Sequence, residues 1–206
     1  PAPDPAATPS PSDDAVIGPG PGEGLAPGGP WGERFSPTKI GAPQKTESAV
    51  QAALRWLLRH QSPSGAWGVD GFAHQCGRDE TFPGECRGPG GVGDQGGGWE
   101  GFDVGVTSLA LLAFLGNGHT PRFSSKPEFR DAVKRGFEWL KSQQRPDGSI
   151  GCRPGNNESI YNHALATLAL CETYAMSGKA GGAMFKTACE RAVAFCLEAQ
   201  NIDPAD

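Results

Sequence analysis

No apolar run in this chain approaches the roughly 18–20 residues that a membrane-spanning helix needs, so no segment of it is expected to cross a bilayer. Basic excess is missing as well. The 18 Lys and Arg stand against 23 Asp and Glu, and the net charge of -5 offers nucleic acid no electrostatic footprint. The glycine-rich stretch "GPGGVGDQGGGWEG" (88–101) lacks a Gly-Lys-Ser/Thr ending and has no strand before it, which excludes a phosphate loop. None of the six cysteines stands in a Cys-x-x-Cys pair, so the spacing writes out no zinc site.

Glycine (31) and proline (19) are abundant instead. Eleven of the prolines fall within residues 1–45, among Ala, Gly, Ser and Asp. Ordering such a segment costs entropy with almost no burial in return. It is expected to be a disordered, semi-extended linker. The chain opens on Pro1 rather than Met, so it is read as an excerpt of a longer protein. The linker would then tether residues 46–206 to an upstream anchor, in an exported or envelope-associated setting.

From Thr46 the pattern turns helical. "TESAVQAALRWLLRHQ" carries Val50, Leu54, Leu57 and Leu58 at helical spacing, with Thr46 or Ser48 as candidate N-caps. Three strings align without gaps: "AVQAALRWLLRHQSPSGAW" from Ala49, "AVKRGFEWLKSQQRPDGSI" from Ala132 and "ACERAVAFCLEAQ" from Ala188. Small residues coincide at Ala53, Gly136 and Ala192. Aromatics coincide at Trp56, Trp139 and Phe195, and glutamines at Gln61, Gln144 and Gln200. Gly65 matches Gly148, and Trp67 matches Ile150. Several matches in one register indicate an internal repeat.

Between these strings lie "FDVGVTSLALLAFLGNG" (102–118) and "YNHALATLALCETYAMSG" (161–178), which align with each other at Phe102/Tyr161, Asp103/Asn162, Leu109/Leu168 and Leu111/Leu170. They are apolar around most of their circumference, which predicts helices buried on most sides. The first set is amphipathic and carries Arg55, Arg59, Lys134 and Lys141, so it should face solvent on one side. The expected architecture is all-α, with inner and outer helices alternating.

A small residue, an aromatic-aliphatic pair, Gln, then Gly-x-Trp resembles the QW motif of the squalene–hopene and oxidosqualene cyclases. "AALRWLLRHQSPSGAW" and "RGFEWLKSQQRPDGSI" carry it, the second with Ile150 in place of Trp. The region 46–206 is similar to the prenyltransferase/squalene oxidase repeat proteins of planctomycete-type bacteria. These belong to the α/α-toroid superfamily, which also holds protein prenyltransferase β subunits and complement-type thioester domains. The resemblance implies a partial α/α toroid. Physically, Gln61 or Gln144 just past a helix end can donate to orphan carbonyls. Trp67 can cover it, and Gly65 and Gly148 allow the left-handed backbone of the turn. Trp56, Gln61, Gly65, Trp67, Trp139, Gln144 and Gly148 are therefore read as structural, with Trp139 as a large buried ring.

The first repeat carries about 27 extra residues relative to the second, placed near 70–100 as an inserted loop. For Cys76 and Cys86 three readings stand: a disulfide closing the loop, a zinc site with His74 and Cys152, or free thiols. The disulfide leads. Cys171, Cys189 and Cys196 are read as small core residues.

The resemblance places ligands at one end of the inner helices, where Phe102, Asp103, Tyr161, Asn162 and His163 would cluster. Against that, Asp103 and Asn162 read as N-caps and His163 as a buried, hydrogen-bonded histidine. The Asp-x-Asp-Asp acid of the cyclases, the Asp-x-Cys of the prenyltransferases and the Cys-Gly-Glu-Gln of thioester domains do not occur. No catalytic residue, metal or cofactor is assigned. The expected function is a non-catalytic toroid module that binds a protein or an apolar small molecule. The alternative is an isoprenoid-processing enzyme of the cyclase or prenyltransferase type, with its catalytic residues outside this segment.

Overall fold

A computed structural model describes residues 44–72, 87–88, 91–92, 98–151 and 159–200. The linker assigned to 1–45, apart from its last two residues, lies outside the described residues. So do His74, Cys76, Cys86 and Cys152. Among the described residues five helices carry the fold: α1 (Gln44–Arg59), α2 (Asp103–Gly116), α3 (Pro127–Ser142), α4 (Ile160–Met176) and α5 (Gly178–Glu198). The 3-10 turn Glu100–Phe102 leads into α2. Arg87–Gly88 pairs antiparallel with Gly91–Val92 as a two-residue ladder. The described chain is otherwise all-α.

α3 shows why these segments are helical. Phe129, Ala132, Val133, Gly136, Phe137 and Leu140 recur at three- and four-residue steps and are all buried. Pro127 stands in the first turn, where its missing N–H costs nothing and its fixed φ suits the helix. α2 and α4 pack along each other, α4 also packs on α5, and α2 on α3; α1 lies against α2 and α3. One apolar cluster runs from Leu54 on α1 to Ala192 on α5. Its aromatic spine is edge-to-face, with Phe114 on Phe129 and Phe137 on Phe185, each at 5.4 Å. Full burial of each such ring contributes about 1.5–3 kcal/mol.

Three expectations are corrected. α1 begins at Gln44, so Thr46 and Ser48 lie inside it rather than capping it. The burial of α2 and α4 is extensive but incomplete: eight residues of each are buried, whereas Leu109 is 53% exposed and its aligned partner Leu168 48%. These leucines lie on the exposed flank of each helix. Trp139 is half-buried, with the deeply buried ring two residues earlier at Phe137, and Trp56 is 41% exposed. A composition that is apolar all round cannot say which flank is covered. Among the described residues no helix is long and apolar enough to cross a membrane.

Candidate functional site

The two Gln–Gly strings fold into joints that make the same bonds. Gln61 Nε2 donates to the Gly65 carbonyl and to the Ala132 carbonyl on α3, both at 2.9 Å. Gln144 Nε2 donates to the Gly148 carbonyl at 3.2 Å and to the Ala188 carbonyl on α5 at 3.0 Å. Ala132 and Ala188 occupy the same place in the alignment. Gly65 (φ +98°) and Gly148 (φ +90°) sit in the left-handed region. A Cβ on either would collide with a carbonyl, that of Arg135 or of Arg191. The Trp67 indole donates to Leu57 O at 2.7 Å, and its backbone N–H to Thr107 Oγ1 on α2. The matching N–H of Ile150 donates to His163 Nδ1 on α4. Each joint thus ties one helix end to the two helices that follow.

The five residues proposed at the starts of α2 and α4 do not converge on one point. Tyr161 projects into solvent, and Phe102 packs edge-on against Trp99 at 5.3 Å. The N-cap reading of Asp103 and Asn162 is corrected, because Phe102 and Ser159 hold those positions and neither makes a side-chain cap bond. Asp103 is the first residue of α2, and its carboxylate accepts from the Val69 N–H at 2.9 Å. Asn162 instead caps its neighbour helix. Its Oδ1 accepts the Gly105 N–H, one of the donors that the first turn of α2 leaves unpaired, and its Nδ2 donates to Gly101 O.

His163 is fully buried. Because Nδ1 accepts from the Ile150 N–H, Nε2 must carry the proton and donate to Ala192 O at 3.0 Å. Burial holds its pKa below the usual histidine value, opposed by the Ala192 bond. Cys196 Sγ lies 3.3 Å from Nε2. That nitrogen already holds a proton, so it cannot act as base toward the thiol, and the pair is no activated nucleophile.

A feature with room for a ligand lies elsewhere among the described residues. A groove of about 510 Å³ opens between α1, the segment after Trp67 and α2, against the outward side of Leu109. Trp56, Phe72, Val106, Leu109 and Ala113 form its apolar walls. Its one titratable lining group is His60, whose ring stacks on Trp56 at 3.9 Å. Its Nδ1 lies 2.6 Å from the Trp56 carbonyl, an acceptor only, so Nδ1 carries the proton. Burial lowers the His60 pKa and keeps the ring neutral. Sequence reasoning named Trp56 and Trp67 as structural and missed the groove. The available signal was the recurrence of an apolar residue at Leu109 and Leu168, on helices with no polar face to turn outward. Among the described residues no group of three His, Cys, Asp or Glu side chains could hold a metal ion.

Comparison with protein-family models, with curated proteins and with solved structures gives no match.

Proposed function

We propose that this chain is part of an α/α-toroid repeat module that binds an apolar ligand and performs no chemistry in this segment. The groove beside Leu109 carries the proposal. It is large enough for a small molecule, its walls are aromatic and aliphatic, and no carboxylate or amine lines it. The matching joints at Gln61 and Gln144 support the repeat, and the apolar flank of α2 and α4 supports an inner layer turned toward a cavity.

A linear isoprenoid alcohol such as farnesol is a direct probe. Titrated into the chain, it is expected to change the fluorescence of Trp56 saturably, and Leu109→Glu, at a residue already half in water, should weaken that binding at least tenfold. A linear, non-saturating response, or one that Leu109→Glu leaves unchanged, overturns the reading.

The aromatic walls favour a second reading, since faces such as those of Trp56 and Phe72 stabilise cations. An isoprenoid-processing enzyme would use them so, with its acid or metal supplied from outside this segment. Product analysis after incubation of the full-length protein with squalene or farnesyl diphosphate separates the two, because a binding module returns them unchanged.

A further inference from the structure

We propose that the N-terminal stretch 31–35, "WGERF", docks in cis into the groove beside Leu109 and occupies it until an apolar ligand displaces it. The proposal deepens the reading above, from which it takes the groove but not the ligand. The groove leaves large apolar faces uncovered: Trp56 is 41% and Leu109 53% exposed, and Phe72 and Val106 line the same space. Water against such a surface is unfavourable, so the site favours an apolar occupant. Ahead of α1 lie 43 residues, and Trp31 and Phe35 are their only aromatics. Residues four apart share one side of a helical turn, the spacing with which a short turn engages an apolar groove. Glu33 then falls on the opposite, wet side. Pro30 and Pro37 flank the stretch and restrict the conformations it gives up on docking.

The stretch is tethered to one wall of the groove, because it leads directly into α1. Trp56 stands twelve residues into the chain from Gln44, about 18 Å along the helix axis. Nine residues join Phe35 to Gln44 and span up to about 30 Å, so the rings reach the groove without strain. A tether of that length holds the stretch at a roughly millimolar effective concentration, which populates a contact too weak to form between separate chains. This favours docking in cis over a second copy. The rim is complementary in charge. Asp70 is exposed between the lining residues Val69 and Phe72 and offers Arg34 a carboxylate, and Arg55, exposed beside Trp56, offers Glu33 a cation. Stretch and ligand compete for the same apolar walls, so docking lowers the apparent affinity for the ligand.

The test is photo-crosslinking of the full chain carrying Trp31→p-benzoylphenylalanine, with the link mapped by mass spectrometry. The expected result is a link within one chain to a groove residue such as Leu109 or Phe72. No link, a link to residues outside the groove, or a link between two chains, which would mark a second copy as the occupant, overturns the proposal. Hydroxyl-radical footprinting gives a second measurement that needs no ligand. In the double variant Trp31→Ser/Phe35→Ser, oxidation of Trp56 is expected to rise at least threefold, while Trp139, half-buried on α3 and outside the groove, stays unchanged. No rise at Trp56, or an equal rise at Trp139, overturns the docking. The same double variant is expected to bind farnesol at least threefold more tightly, and an affinity equal to that of the unaltered chain overturns the competition. If farnesol binds neither chain while the Trp56 footprint changes, the ligand reading falls and the docking stands.

Discussion

Single residues show most clearly what this fold tolerates. His119 is 4% exposed and sits against Phe114 and Phe129. Its Nδ1 meets Ser124 Oγ at 2.9 Å, and its Nε2 has no partner among the described residues. Burial, reinforced by the Lys126 charge, lowers its pKa to about 4. The unfolded chain takes up that proton near pH 6.5 and the folded chain only near 4. The stability linked to His119 is therefore full above about pH 6.5 and is lost as pH falls toward 4. At about 1.4 kcal/mol per unit the loss is roughly 3 kcal/mol. Urea titrations across that range should show it, and His119→Phe should flatten most of the slope, with His60 and His163 contributing the remainder in the same direction. The joints are equally specific. Gln61→Ala removes the bonds to the Gly65 and Ala132 carbonyls and the one that Gln61 Oε1 accepts from Arg135. A cost of about 1–3 kcal/mol is expected in thermal melts. Gly65→Ala must hold φ near +98° with its Cβ against the Arg135 carbonyl, so a loss above about 1 kcal/mol is expected.

Among the elements, α3 separates its two large aromatics sharply. Phe137 is 1% exposed and stacks edge-on with Phe185, whereas Trp139 is half-buried. Phe137→Ala is expected to cost about 3–5 kcal/mol and Trp139→Ala clearly less. Equal losses in chemical denaturation would contradict that ordering. The inserted stretch is a separate matter. Its ends meet, because a Cβ on Gly98 would lie 2.5 Å from the Val69 carbonyl. Replacing 73–97 by a short glycine linker should therefore keep the helical circular dichroism. A collapse of that signal would show that the stretch helps to hold α1 on α2.

For the whole molecule, the single apolar cluster from Leu54 to Ala192 joins all five helices. Unfolding followed by tryptophan fluorescence and by circular dichroism is expected to coincide in one transition; two separated transitions would mean that α1 melts alone. Much of this was legible in the amino-acid order. Helix positions follow from three- and four-residue apolar steps, as in Phe129–Leu140, and the Gln61–Gly65 and Gln144–Gly148 turns from side-chain and backbone chemistry acting over four residues. The partners of those glutamines, Ala132 O and Ala188 O, were not, since backbone carbonyls carry no sequence signature. The role of Asn162 as cap of a neighbouring helix was hidden for the same reason, as were the partners of His163, read from the sequence only as a buried, hydrogen-bonded ring: both depend on which helix lies alongside. Local order, then, determined the all-α class and where each helix turns, because propensity, periodicity and turn geometry act over a few residues. Only the packing of α1 against α2 decided that Trp56 and Leu109 would face one apolar groove, because two stretches far apart in the chain become one surface only when the burial of other residues brings them together.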